Sequence, residues 1–148
     1  NIRSILNVGA IFRTAECAGI SKIYLTGYTP TPIDRFKRER SDFHKAALGT
    51  QKIIDWEYNK SVSRVLSCLQ KEGIKLVAIE QDKGAMDYKK YKESGSTAFI
   101  LGNEVRGLSK QILQKVDAIL EIPLMGKKES LNVSVAAGVV LFRVLDKI

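Results

Sequence analysis

Apolar side chains recur at helical spacing from Val8 to Ala18, with Val8, Ile11, Phe12, Ala15 and Ala18 on one face, and this pattern predicts a helix. Asn7 is available to cap its start and Gly19 to stop it. Lys22 to Thr26 (KIYLT) is short and rich in β-formers, which predicts a strand. Gly27 and the run Thr29-Pro30-Thr31-Pro32 fit neither a helix nor a central strand, so the chain enters a loop there. The loop continues through Asp34-Arg35-Phe36-Lys37-Arg38-Glu39-Arg40 and is read as polar and mobile, with His44 also in a loop and Lys45 beside it. After a short segment around Lys52 to Trp56, residues Ser61 to Gln70 place Val62, Val65, Leu66 and Leu69 on one helical face, and Gly73 closes that helix. Further strands are expected at Ile74 to Ile79, Thr97 to Leu101 and Ala118 to Ile122, and a helix opens after Ser109. Leu131 to Leu145 is apolar almost all round, as in a helix buried on several sides.

Strands alternating with helices at this spacing indicate an α/β fold with a mostly parallel sheet flanked by helices. A length of 148 residues implies a single domain covering the whole chain, and a 45% hydrophobic content excludes a disordered chain. The formal net charge of +8 changes the picture more, because a basic surface favours a polyanionic partner. Nucleic acid leads, and charge alone does not separate it from an anionic membrane surface. Cys17 and Cys68 form no CxxC and have no second metal ligand near them in sequence, which argues against a disulfide framework and against zinc. No window approaches the roughly 20 apolar residues of a spanning helix, and the start carries no secretory pattern, so cytoplasm is the expectation. The chain opens at Asn1 without a Met.

In open α/β sheets ligands bind beyond the carboxyl ends of the strands, and those ends carry the unusual sequences here. One strand runs into Gly102-Asn103-Glu104-Val105-Arg106-Gly107-Leu108-Ser109; another runs into Pro123-Leu124-Met125-Gly126 and then Ser130-Leu131-Asn132. These are expected to form two polar loops side by side. Neither matches a phosphate cradle, since the chain has no GxxxxGK[ST] and no GxGxxG after its first strand. The single histidine, His44, lies far in sequence from both cysteines and supports no nucleophilic triad. What remains is backbone groups, an arginine, a glutamate, a serine and an asparagine, a set suited to holding a neutral or zwitterionic cofactor.

Three segments carry a family resemblance. Asn7-Val8-Gly9-Ala10-Ile11-Phe12-Arg13-Thr14-Ala15 resembles the first signature of the TrmH (SpoU-type) branch of the SPOUT RNA methyltransferases. Phe99 to Leu108 resembles the second, and Ile122 to Met125 with Ser130 to Ala136 resembles the third. The resemblance implies an α/β domain with a C-terminal trefoil knot, an exception to the rule that chains avoid knots. It further implies S-adenosylmethionine bound in the knot, a homodimer built through the C-terminal helix, and methylation of a ribose 2′-hydroxyl of tRNA or rRNA. With no accessory RNA-binding domain before the first motif, tRNA is favoured over rRNA. Family members have a complete first strand before the first motif, whereas Asn1 to Leu6 leave room only for a truncated one.

By the same resemblance, Arg13 matches the catalytic arginine. A guanidinium cannot act as a base unaided, so its role is to bind the phosphate beside the target ribose and help remove the hydroxyl proton, in its own pocket or the partner chain's. Asn7 aligns the arginine or substrate, or serves only as the helix cap. Glu104 matches a glutamate that steadies the active loops. Ser130 and Asn132 match the polar pair of the third motif, with Asn132 assigned to the substrate or to the catalytic arginine. Leu101, Gly102, Ile122, Met125 and Leu131 match positions that hold the cofactor, and glycine at 102 suits a ligand approaching the backbone. Arg106 is not fixed by the motif. Arg35, Lys37, Arg38 and Arg40 are read as RNA backbone contacts, with Phe36 as a stacking group and His44 and Lys45 beside them. The competing readings are a non-catalytic RNA-binding domain of the same fold, which does not explain why Arg13, Glu104, Ser130 and Asn132 occur together, and a SPOUT base methyltransferase.

Overall fold

A computed structural model describes residues 1–145. The chain divides into two compact units, one from Asn1 to Val62 and one beginning at Ser63.

The first unit opens with helix α1 (Ile5–Cys17), followed by strand β1 (Lys22–Thr26), helix α2 (Ser41–Ala47) and strand β2 (Asp55–Asn59). The expected cap of α1 is displaced. Ser4 is the N-cap, its Oγ accepting from the Asn7 backbone N–H at 3.3 Å, so Asn7 sits inside the first turn. The helix starts earlier than its apolar stripe because Ser4 is as good a cap as Asn7. Helix α2, where a loop was expected to hold His44, buries Phe43 and Ala47 completely. Phe43 meets Phe12 of α1 edge to face, with ring centroids 5.1 Å apart and planes at 81°. Gly9 lets the two helices close: a Cβ there would stand 2.7 Å from Ala46 Cβ and 3.0 Å from the Phe43 carbonyl oxygen. β1 and β2 pair in parallel from Lys22↔Asp55 to Thr26↔Asn59.

The second unit contains α3 (Val62–Lys71, its first residue at the boundary), β3 (Lys75–Ile79), β4 (Met86–Asp87), β5 (Thr97–Leu101), α4 (Lys110–Leu113), β6 (Ala118–Glu121) and α5 (Val133–Val144). Its four strands form an all-parallel sheet in the order β4-β6-β3-β5. Leu76, Val77, Ala78 and Ile79 of β3 are all buried, as a strand covered on both faces requires. The Asp117 carboxylate accepts from the Leu76 N–H at 2.7 Å and fixes where β6 begins. Val77, Ile79, Leu120 and Val140 form the core, with Phe99, Leu101 and Ile122 packed against it. Helix α5 is not buried on several sides within this chain: Ala137, Val140 and Leu141 are buried, while Val135 and Phe142 are 50% and 53% exposed. A helix with apolar residues all round presents a second face whichever one the core takes.

Candidate functional site

The segment after β5 forms a closed turn. Asn103, buried, accepts from the Val105 and Arg106 N–H groups through its Oδ1, both at 2.9 Å. Asn103 and Gly107 also exchange backbone hydrogen bonds at 3.2 and 2.9 Å. Glu104 stands half-buried on this turn and Arg106 is exposed. Gly102 is required by the turn itself: a Cβ there would lie 2.6 Å from the Gly107 carbonyl carbon and 2.7 Å from the Leu108 nitrogen. On the side where a Cβ would project, the glycine makes room for the chain's own backbone.

β5 and β6 each pair with β3 and not with each other, so the two polar segments leave the sheet from the strands on either side of β3. Glu80 and Gln81, at the exit of β3, span the gap. The Glu80 Oε2 accepts from the Leu108 N–H at 2.7 Å, and its own N–H donates to the Leu120 carbonyl at 3.0 Å. Gln81 Nε2 donates to the Ile122 carbonyl at 2.9 Å. Sequence reasoning missed both residues. The available signal was an acid directly following the apolar run Leu76 to Ile79, at the strand end where ligands bind.

Leu101 and Ile122 pack against the core, whereas the chain beyond β6 leaves Met125 98% exposed and Leu131 42% exposed. Ser130 is exposed. Of the two polar residues, Asn132 is the cap of α5, accepting from the Ser134 N–H at 2.9 Å and from its hydroxyl at 2.7 Å. Met125 and Leu131 are thus apolar side chains left uncovered beyond the carboxyl ends of parallel strands, where α/β sheets bind ligands. Among the described residues no group of three His, Cys, Asp or Glu side chains is placed to hold a metal ion, and no helix is long and apolar enough to cross a membrane.

Asn7 and Arg13 belong to the first unit. Arg13 is exposed on α1, away from the buried Val8, Phe12 and Ala15, and Asn7 is half-buried. The basic segment forms a hydrogen-bonded turn. The Asp34 carboxylate accepts from the Phe36 and Arg38 N–H groups at 2.8 and 3.0 Å and pairs with the Arg38 guanidinium at 2.8 Å. The Arg38 backbone bond, with smaller help from its side chain and from Phe36, holds this carboxyl below its ordinary value. An Ile33–Glu39 bridge closes the turn. Glu39 pairs with Lys52 at 2.6 Å, which lowers the Glu39 carboxyl too. Arg40 lies 3.8 Å from Asp42, and Lys37 sits at the tip with φ +62°. His44 of α2 has its Nδ1 2.9 Å from Gln51 Nε2, and Lys45 beside it is exposed.

The model of the SpoU rRNA Methylase family matches residues 1–142. The tRNA (guanosine(18)-2'-O)-methyltransferase of Escherichia coli strain K12 is 26% identical over 136 residues, covering 92% of this chain and 56% of that protein. The 23S rRNA (guanosine-2'-O-)-methyltransferase of Pseudomonas aeruginosa is 32% identical over 143 residues, covering 94% of this chain and 53% of that protein. Among solved structures, the AdoMet-bound rRNA methyltransferase of Sinorhizobium meliloti matches with a TM-score of 0.85 and 28% identity, over 97% of this chain and 52% of that one. The chain spans about half the length of the curated relatives it matches.

Proposed function

The chain belongs to the SpoU rRNA Methylase family, and we propose that it is the single catalytic domain of an enzyme that methylates a ribose 2′-hydroxyl of tRNA or rRNA with S-adenosylmethionine. The observation that carries this reading is one family match running through residues 1–142, which takes in Arg13, Glu104, Ser130 and Asn132 together. When bound, S-adenosylmethionine supplies an electrophilic methyl group on a sulfonium. Met125 and Leu131, with the backbone at Leu101, Gly102 and Ile122, would hold it. The trefoil knot implied by the resemblance is part of this proposal.

Each side chain then has a task. Arg13 remains cationic at every working pH; it binds the phosphate beside the target ribose and orients the 2′-hydroxyl as its proton leaves. Glu104 steadies the turn after β5. Ser130 and Asn132 orient the ribose or the arginine, and Asn7 aligns the arginine or the substrate. Positioning of this kind supplies most of the rate, because holding two reactants in attack geometry removes a large entropic barrier. Arg35, Lys37, Arg38 and Arg40 meet RNA phosphates. The exposed Val135, Val139 and Phe142 of α5 form the interface of a homodimer, in which Arg13 serves its own site or its partner's. The cytoplasm is the place of action.

The test is calorimetric titration of S-adenosylmethionine into the purified chain, with light scattering for mass, followed by methylation of bulk tRNA and rRNA by Arg13→Ala. One cofactor per chain in a dimer, methylated nucleotides that resist alkaline cleavage, and loss of transfer in Arg13→Ala at unchanged cofactor affinity are the expected results. A folded chain that binds no cofactor, or full activity in Arg13→Ala, overturns the assignment.

A further inference from the structure

The first unit holds an open groove of about 1270 Å³ at the carboxyl ends of β1 and β2, walled on one side by the turn 33–40. Its apolar surface is aromatic. Tyr28 and Phe36 are 59% and 61% exposed, and Tyr58 is 45% exposed. Trp56, the single tryptophan of the chain, lines the same groove two residues before Tyr58 on β2, so both rings stand on one face of the strand. The Tyr58 hydroxyl donates to the Gly27 carbonyl at 2.6 Å, which holds that ring in place. Arg35 and Arg38 lie against the Phe36 ring, their guanidinium carbons 4.7 and 5.1 Å from its centre.

The charges narrow the occupant. Arg38 and Arg40 are each matched by a carboxylate of the same segment, Asp34 and Asp42. Arg35 and Lys37 have no ion pair among the described residues. A groove built to follow a duplex backbone would keep its cations for phosphates. This one combines aromatic faces and planar guanidinium groups with one unmatched cation on its wall, Arg35, the combination that receives unstacked bases and the few phosphates joining them. Duplex RNA keeps its base faces stacked inside and offers none to such walls.

We propose that this groove is a binding site for unpaired RNA bases, with Tyr28, Trp56 and Tyr58 as the stacking surface and Arg35 as its phosphate contact. The inference rests on an RNA substrate for this chain and deepens that reading: the enzyme selects a single-stranded or looped stretch near its target. The Tyr58 ring is already held by its bond to Gly27, which lowers the ordering cost of binding.

Trp56 makes the test direct. A single-stranded oligouridine and a blunt RNA duplex of equal phosphate number are titrated into the chain while its tryptophan emission is followed. Saturable quenching by the single strand, with much weaker binding of the duplex, is expected. Tyr28→Ala should weaken single-strand binding by roughly fivefold or more while leaving the slope of log affinity against log salt unchanged, because no phosphate contact is lost. Arg35→Ala should reduce that slope. Tyr28 is exposed, so its truncation leaves the core intact, and an unchanged urea midpoint and S-adenosylmethionine affinity verify this. Equal affinity for duplex and single strand, or wild-type affinity in Tyr28→Ala, overturns the groove. The two readings fail separately: a chain that methylates RNA without any change in Trp56 emission refutes the groove alone, and quenching by a chain that transfers no methyl group refutes the enzyme alone.

Discussion

Gly102→Ala distinguishes a glycine kept for a ligand from one kept for the fold. The new Cβ would sit 2.6 Å from the Gly107 carbonyl carbon and 2.7 Å from the Leu108 nitrogen, where ordinary contacts lie at about 3.5–4.0 Å. Both neighbours are backbone atoms, so no side-chain rotation relieves the overlap and the turn must open by about 1 Å. Three bonds stand in the way: the Asn103–Gly107 pair at 3.2 and 2.9 Å, and Leu108 N–H to the Glu80 carboxylate at 2.7 Å. Losing one neutral bond and the charged one costs about 2–4 kcal/mol. The stiffer unfolded chain of the alanine variant returns about 0.4–1 kcal/mol of that. A net loss near 2–3 kcal/mol corresponds to a melting temperature lower by roughly 5–10 °C. The assay is urea unfolding of the chain without cofactor, with Gly126→Ala as control, since a Cβ at Gly126 meets nothing within 4 Å. The control should stay within about 0.5 kcal/mol of the parent. A Gly102→Ala chain with the parent's urea midpoint and a reduced S-adenosylmethionine affinity would refute the reasoning, because it would show that the missing Cβ serves the ligand.

Asn132→Ala should cost about 1 kcal/mol through loss of the α5 cap, whereas Asn132→Asp keeps an acceptor for Ser134 and should keep the urea midpoint while losing methyl transfer; equal stability of the Ala variant would show that the cap bond contributes nothing. The turn 33–40 should loosen in acid. Asp34 and Glu39 are both held below their ordinary values of 3.8 and 4.5, so their contribution is complete above those values and is lost as pH falls through the lower folded ones. Trp56 emission between pH 5 and 2 (about the range in which carboxylates titrate) reads this change, and Asp34→Asn should remove the Asp34 part of it. An identical acid profile in Asp34→Asn would rule Asp34 out as the cause.

What periodicity carries was legible in the chain. β1, β3, β5 and β6 each hold consecutive apolar or β-forming residues, and α1, α3 and α5 run long enough for a stripe to emerge. β2 was hidden because Asp55-Trp56-Glu57-Tyr58-Asn59 has no aliphatic residue and is largely exposed, so its strand character comes from pairing with β1. α2 has seven residues and buries only Phe43 and Ala47, too few to repeat a pattern. The order of the turn 33–40 comes from one carboxylate bonding to nearby backbone, which a charge count reads as a solvated loop. The polar residues of the candidate site were found by their motifs, but Glu80 belongs to none of them and enters only through the pairing of β3 with β6 on one side and β5 on the other.

The central place of β3 also governs how the second unit can be made. Both of its hydrogen-bonded neighbours, β5 and β6, lie downstream of it in the chain. At a synthesis rate of about 5–20 residues per second, the Leu-Val-Ala-Ile stretch therefore waits for some seconds with two unpaired edges. That interval exposes a short, uncharged, β-prone segment to the crowded surroundings of the ribosome. Lys75 at its start and Glu80 at its end flank it with charges, the positions that gatekeeper residues take beside an apolar strand. Glu80 thus guards the strand before there is a sheet and pins the neighbouring turn once the sheet has formed.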